Sequence, residues 1–415
     1  MITLEETRAQ ILARLSPLAP EETALLDLPG RILHEAVDAP HHVPPFDNTS
    51  MDGFALRSRD VASASPEKPV ELRVVSVIEA GAPSERTLEA GEAARIFTGA
   101  PLPPGADAII PFEQAAHFDE VSLRIDRVIP KDNFVRFRGE ELQPGDPVLG
   151  TGQRLNPAAI GLLAQLGRAR VLASPRLRIA VHSSGNELVD VETEPLPPGK
   201  IRNSNLYSLA ARVAQTGATV LPRPVLLDTP EDVRAGLRRT LALRPHAILT
   251  TGGVSAGDLD YIREVARELG DDVQVRRVDM KPGKPLVDGV IGGVPFFGLP
   301  GNPAACLVSF EMFVRPALAR LEGDPDAENV NASRYGVARV REDTRVGGTK
   351  RRQFLRARVE LDRESGVYEL LPLAKQGSHL LTSFSAANCL VDLPAGTEEL
   401  RRGDTVAIVW LESNR

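Results

Sequence analysis

Five apolar runs decide the fold: LRIAVHS (177–183), ATVLPRPVLL (218–227), HAILTTGG (246–253), VQVRRVDM (273–280) and PFFGLPG (295–301). Each is short enough for a strand. Between them lie stretches with helical spacing of apolar residues, at 206–215, 231–243 and 261–269, and a longer one at 304–321 closes the unit. Strands alternating with helices predict a doubly wound, mainly parallel α/β/α sheet domain over residues 176–328.

The rhythm changes on both sides of this unit. Residues 70–138 carry ELRVVSVIEA, AARIFTGA, DAIIPFEQ and VSLRIDRVI between Gly and Pro clusters, so a small inserted β domain is expected over 46–141. Two proline- and glycine-rich crossings flank it, APHHVPPF (39–46) and residues 142–152. Before the first crossing, Thr3 and Glu6 make a capping-box pattern, and Ile11, Leu12 and Leu15 share one helical face. A short helix is expected at 157–166. Residues 1–45 and 142–175 are therefore expected to form a discontinuous N-terminal mixed domain. After residue 329, strands return in YGVARVRE, FLRARVELD, YELLPLA, NCLVDL and TVAIVWL, the pattern of a C-terminal β-barrel over 329–415. The fold class is thus multidomain α/β plus β.

At 415 residues the chain has room for roughly two to four domains. Its 42% hydrophobic and 25% charged content excludes wholesale disorder. Cys306 and Cys389 alone make neither a disulfide scaffold nor a zinc site, and neither has an identifiable His and acid that would make it a nucleophile. No apolar run approaches the ~20 residues of a membrane helix, and the start, MITLEETRAQ, is acidic and polar; a cytoplasmic protein with no membrane partner is expected. A net charge of −7 argues against a nucleic-acid partner. A local anion site needs only a few cations. Arginine outnumbers lysine 42 to 7, so Lys281 and Lys284 in MKPGKP stand out: lysine offers a point charge where arginine offers a planar fork.

In open α/β sheets, ligands bind beyond the carboxyl ends of the strands. Here those ends lead into SSGNEL (183–188), LDTPED (227–232), TGGVSAGDLD (251–260), MKPGKP (280–285) and LPGNP (299–303). Gly252, Gly253 and Gly257 let backbone N–H groups approach an anion, and Pro303 suits a first helical turn. Glu187, Asp228, Asp258 and Asp260 would repel a bare phosphate, and carboxylates beside a phosphate site point to Mg²⁺. A Mg²⁺-assisted reaction of a phosphate ester or anhydride follows. Taken singly, TGGVSAGD is a strand–turn–helix connection, MKPGKP a turn with solvated lysines, and LPGNP a helix start. Their coincidence at one end of one sheet makes the site. Elsewhere, NTSMDGFALRSRD (48–60), RIFTGAPLPPGAD (95–107) and RFRGEEL (136–142) read singly as a hairpin turn, a proline-stiffened loop and a solvated charge run. His41 and His42 lack further ligands nearby.

NTSMDGFA, RIFTGAPLPPGADAIIPFE, TGGVSAGDLDY, MKPGKPL and GLPGNPAACLVSFEMFVRPAL occur in the order and spacing seen in one family. The chain, from about residue 4 to 409, resembles the molybdopterin molybdenumtransferases, the molybdenum insertases related to the C-terminal domain of gephyrin. The resemblance implies insertion of molybdate into adenylylated molybdopterin with Mg²⁺-dependent release of AMP. It also implies a homodimer of four-domain subunits whose active cleft is completed by the partner, and possible delivery of substrate by the upstream molybdopterin adenylyltransferase. By the same resemblance, Asp52 and Thr98 of one subunit face Glu187, Asp228, Asp260, Lys281 and Lys284 of the other. Lys281, Lys284, Arg351 and Ser378 look like a molybdate cradle, with Pro300 and Pro303 shaping the adjoining loop and Ser255 and Arg136 as further substrate contacts. Glu187, Asp228 and Asp260 look like the metal-side carboxylates.

The chain departs from the family pattern at Asn186, where an acid is common, at Glu141, one methylene longer than the usual acid, and at Ala305, where serine is common. The arginine match is ambiguous between Arg351 and Arg352. Two other readings stay within reach of the sequence: a tungstate-inserting paralogue, and a non-catalytic gephyrin-like scaffold, which the intact Asp52, Lys281 and Lys284 disfavour. The preceding adenylyltransferase step is disfavoured by the complete flanking domains and would consume ATP.

Overall fold

In the computed structural model, which describes residues 1–82, 85–221, 225–254, 261–329 and 334–411, the run that opens the central rhythm is the strand Arg178–Ser183. Every residue of it after Arg178 is buried. It belongs to a six-stranded sheet in the order Thr219–Val220, Arg178–Ser183, Ala247–Thr251, Val294–Leu299, Pro285–Ile291, Gly270–Arg277. The first four strands are parallel, and the last two are antiparallel to their neighbours. Side chains alternate between two cores. Ile179, Val181, Leu249, Phe297 and Leu299 pack with Leu206, Leu209 and Val213 of the helix Ser204–Gln215. Ala180, Ile248 and Phe296 pack with Val233 and Leu237 of the helix Pro230–Ala242 and with Ile262 and Val265 of Tyr261–Leu269. Both faces are covered, which is why these strands read as unbroken apolar runs.

The structure refines the expected elements in three places. The run 218–227 supplies only the short strand Thr219–Val220, with residues 222–224 outside the described set. PLVDGVI, to which the sequence reading assigns no element, is the strand Pro285–Ile291. It turns back through Gly292 and Gly293, at φ 57° and 79°, into Val294–Leu299. The closing helix runs as Pro303–Ser309 and Arg315–Glu322 with a π-helical turn, Phe310–Val314, between them. Pro316 has no N–H to give to the carbonyl four residues back, so the helix widens over the preceding turn.

The helix Leu4–Leu12 carries its capping box: the Glu6 N–H donates to Thr3 Oγ1 and the Thr3 N–H to Glu6 Oε2, both at 3.1 Å. Leu4, Ile11, Leu12 and Leu15 sit in the α/β core beside Leu318 and Leu321. Packing therefore groups Met1–Glu35, Thr151–Ile160 and Ala169–Arg415 as one unit, and Ala36–Gly150 with Gly161–Arg168 as another.

Within the first unit, Arg352–Asp362, Val367–Pro372, Tyr335–Val340, Thr405–Trp410 and Cys389–Leu393 pair in that order and close back on Arg352–Asp362 as a five-stranded barrel. Leu355, Ala357 and Val359 fill its interior. On the opposite face of the same strand, Phe354 joins the α/β core. Met280–Lys281 runs parallel to Arg352–Gln353 as an added edge strand.

The second unit is built on a six-stranded sheet in the order Ala108–Pro111, Gly53–Leu56, Glu92–Ile96, Val70–Ile78, Ser122–Ile125, His117–Phe118. Phe54, Leu56, Leu72, Ala93, Ile110 and Leu123 form its main core. No helix among the described residues is long and apolar enough to cross a membrane.

Candidate active site

The parallel strands Arg178–Ser183, Ala247–Thr251 and Val294–Leu299 end at one edge of the central sheet. Gly270–Arg277, two antiparallel steps further on, ends there too. The turns after them pack backbone on backbone. Gly252 has φ 93°, and a Cβ on it would lie 2.4 Å from the Ser184 carbonyl oxygen. Asn205 Nδ2 donates to Thr251 Oγ1 at 3.0 Å and to the Gly301 carbonyl at 2.7 Å, and Thr251 Oγ1 donates to the Pro300 carbonyl at 3.0 Å. This lacing leaves a cavity of about 1150 Å³ between the sheet edge and the barrel. Glu187, Asp228, Lys281, Lys284, Pro300, Pro303, Arg351 and Ser378 all line it. Ser255 and Asp260, with Gly257 and Asp258, lie outside the described residues.

The cavity has an acidic and a basic side. Asp228 accepts from the Ser184 hydroxyl and, at 3.1 Å, from the Asn186 N–H. Its own N–H donates to Asn186 Oδ1 at 3.2 Å. Asn186, the residue without the family's charge, is thus a neutral clamp on Asp228. Glu187 is exposed, and a Cβ on Gly185 would meet its carboxylate oxygens at 2.6 and 2.7 Å. Among the described residues no group of three His, Cys, Asp or Glu side chains forms a ready metal site. A Mg²⁺ ion that shares its shell with substrate phosphates and water needs only one or two carboxylates, so Glu187 and Asp228 fit such an ion in kind.

On the basic side, the Lys281 backbone pairs with Gln353 of the barrel, and Arg351 Nη1 donates to the Met280 carbonyl at 3.3 Å. The Ser378 carbonyl accepts the Ala304 N–H at 2.9 Å, which fixes the QGSH segment against the start of the closing helix. No ion pair engages Lys281, Lys284 or Arg351 among the described residues, although the chain carries 56 acids. Arg352 is different: it is bound to Asp392 and Glu5, which hold its guanidinium well above the usual arginine range. Of the two arginines, Arg351 lines the cavity and Arg352 sits in an ion-pair network.

Asp52, Thr98 and Arg136 lie in the other unit. There the Thr98 N–H and Oγ1 donate to Asp52 Oδ1 at 2.7 and 2.6 Å, and these bonds hold the exposed Asp52 carboxyl below its ordinary range. Arg136 pairs in a short ladder with Asn48, and the Ser50 N–H donates to the Phe134 carbonyl at 3.0 Å. Three segments far apart in sequence, around residues 50, 98 and 136, are thus brought together by backbone bonds.

Sequence reasoning missed Asn205, Gln376 and Arg356. NSN at 203–205 carries a helix-cap signal, and Asn203 does cap Ser204–Gln215. Arg356 was hidden in FLRARVELD, where nothing local marks one arginine of a barrel strand as buried. The two thiols are inert: burial pushes both Cys306 and Cys389 up to about 12.

The chain matches the family models MoeA N-terminal region (domain I and II) over residues 2–167, probable molybdopterin binding domain over 180–320, and MoeA C-terminal region (domain IV) over 339–411. It is 37% identical over 416 residues to molybdopterin molybdenumtransferase 2 of Mycobacterium tuberculosis, covering 99% of both chains. It is 34% identical over 415 residues to the molybdopterin molybdenumtransferase of Staphylococcus aureus, covering all of this chain and 96% of that one. A solved structure, the molybdopterin biosynthesis MoeA protein of Pyrococcus horikosii, superposes with a TM-score of 0.78 at 32% identity and covers 99% of each chain. With its whole length matched in sequence and in fold, the chain belongs to the molybdopterin molybdenumtransferase (MoeA) family of enzymes.

Proposed function

We propose that the chain carries out its family's transfer of molybdenum to molybdopterin in one particular form: molybdate is the metal donor, adenylylated molybdopterin the acceptor, and AMP leaves in a Mg²⁺-dependent step. The observation that carries this reading is the basic side of the cavity, where Lys281, Lys284 and Arg351 have no carboxylate partner among the described residues, in a chain of net charge −7. Cations left without internal counter-ions call for an anionic ligand. A cavity of about 1150 Å³ has room for a pterin and a nucleotide together.

Lys281, Lys284, Arg351 and Ser378 hold the oxyanion, with Pro300 and Pro303 shaping the adjoining wall. Ser255 and Arg136 are further substrate contacts. Glu187, Asp228 and Asp260 are the residues that would hold Mg²⁺. When bound, that ion neutralises charge on the phosphate oxygens. In the reaction the two dithiolene sulfurs displace oxygens of molybdate, which leave with the thiol protons as water. Water attacking phosphorus breaks the anhydride bond between the pterin phosphate and AMP, which carries away the electron pair. The chain's own contribution is positioning and charge compensation. Asp52 and Thr98 complete the cleft from a second subunit of a homodimer.

The test is an incubation of protein, adenylylated molybdopterin and Mg²⁺ with molybdate, tungstate or neither. AMP release that requires molybdate, with metal retained in the pterin, is expected. Release driven equally by tungstate shifts the reading to the other metal, and tight pterin binding without release under any condition overturns it in favour of a scaffold.

A further inference from the structure

Of the 13 phenylalanines, four are exposed among the described residues, and three of those, Phe46, Phe134 and Phe137, lie on one two-stranded ribbon of the second unit. Met51 is exposed beside them. In the ribbon, Asn48–Thr49 pairs antiparallel with Val135–Arg136. Side-chain bonds extend it at both ends: Ser50 Oγ donates to the Phe134 carbonyl at 3.1 Å, and the Arg138 N–H donates to Asp47 Oδ1 at 2.7 Å. Val135 packs against the core with Ile78 and Ile96, while Phe134 and Arg136 on either side of it are exposed.

The backbone under Phe134 is strained. It has φ 54°, and Asp132 two residues earlier has φ 66°. In that left-handed region a Cβ crowds the following carbonyl, so glycine or asparagine fits and a phenylalanine does so only under load. The two donors from Ser50, with the Val135 N–H donating to the Asp132 carbonyl at 3.2 Å, hold the turn in this shape. Packing gives no reason for the ring, which stands outside the aromatic cluster of Phe54, Phe97, Phe112 and Phe118. A strained turn that presents an apolar ring to solvent marks a binding surface. Beside it, Arg136 makes no ion pair among the described residues, and the Asp52 carboxylate is taken up by Thr98. A flat apolar face next to a guanidinium suits a planar heterocycle that carries a phosphate.

We propose that Phe134, with Met51 and Arg136 beside it, is the stacking platform for the purine ring of the adenylylated substrate, Arg136 supplying charge for its phosphate. This rests on the function proposed above and names what holds the nucleotide end. The dithiolene has to reach the oxyanion held by Lys281 and Lys284, so covalent order puts the purine at the far end of the substrate.

Calorimetry on the full chain compares AMP with ribose 5-phosphate, which keeps sugar and phosphate and lacks the ring. Wild type should bind AMP about tenfold or more tightly than ribose 5-phosphate, the size of one base stacked on one aromatic. Phe134→Asn and Phe134→Leu should bring that ratio to about threefold or less, and Phe134→Tyr should keep it. KM for the adenylylated pterin should rise in step, with KM for molybdate within about twofold of wild type. Because asparagine fits the left-handed turn, Phe134→Asn should melt no lower than wild type, an outcome that a ring kept for stability would not give. An unchanged ratio in Phe134→Asn overturns the platform. So does a shift of that variant to smaller species in sedimentation, which would make the patch a contact between copies of the chain. Wild type that releases AMP normally yet binds AMP and ribose 5-phosphate equally overturns this inference alone. Wild type that releases no AMP from adenylylated molybdopterin overturns the proposed function, and the substrate assigned here with it.

Discussion

Single side chains at the cavity have separable jobs. Lys284→Met should raise KM for molybdate by about tenfold with little change in melting temperature, because the half-buried ammonium makes no ion pair among the described residues. Steady-state kinetics beside a melting curve checks this. Thr98→Val removes one of the two donors that depress the Asp52 carboxyl. A depressed carboxyl stays ionised to lower pH, so the variant's Asp52 should protonate at higher pH than in the wild type, and the acid limb of the pH–rate profile should move upward. Glu311 illustrates a different physics. It is wholly buried, and burial alone would raise its pKa, yet Arg315 at 2.8 Å, Arg334 at 2.6 Å and Arg212 at 3.5 Å together hold it at about 2. The folded chain thus binds fewer protons here than the unfolded chain between about pH 4.5 and 2. Its contribution is full above that window and is lost as pH falls through it. Glu311→Gln, which leaves three buried cations poorly compensated, should cost about 3–5 kcal/mol of stability in denaturant titrations.

At the scale of elements, glycines mark where turns and strands meet most closely. A Cβ on Gly53 would lie 2.0 Å from the Ile110 carbonyl oxygen in the neighbouring strand, so Gly53→Ala should destabilise the unit around Ala36–Gly150 by roughly 1–3 kcal/mol, read by denaturant titration. Gly252→Ala adds a clash with Ser184 to a positive φ and should impair turnover by displacing the turn. The sequence marked both glycines but not these neighbours: Gly53 read as a hairpin residue and Gly252 as an approach to an anion, whereas they meet Ile110 and Ser184. The strand-helix alternation, the capping box at Thr3 and the lysine pair were legible, because each depends on near neighbours in the chain. Pro285–Ile291 was not legible, because Gly289, Gly292 and Gly293 interrupt its apolar pattern while the hairpin supplies the pairing. Arg356 and Gln376 were invisible for a related cause. Their meaning comes from a loop twenty residues away in sequence. The clustering of Asp52, Thr98 and Arg136 likewise depends on long-range backbone bonds.

For the whole molecule, the shared-cleft proposal has a direct check. Asp52→Asn and Lys281→Met should each be nearly inactive, and a mixture of the two, unfolded to subunits and reassembled, should regain roughly a quarter of wild-type activity through mixed dimers holding one intact cleft. Recovery absent from well-formed mixed dimers would place both residues in a cleft of one subunit. The arginine knot has a consequence at this scale too. Arg212 comes from a helix of the α/β sheet, Glu311 and Arg315 from the closing helix, and Arg334 stands just before the first barrel strand and also donates to the Trp410 carbonyl of the last. Melting the barrel alone would strand a buried carboxylate among too few partners. In a calorimeter, barrel and α/β sheet should therefore absorb heat as one peak, and partial proteolysis should release no intact barrel from the folded chain.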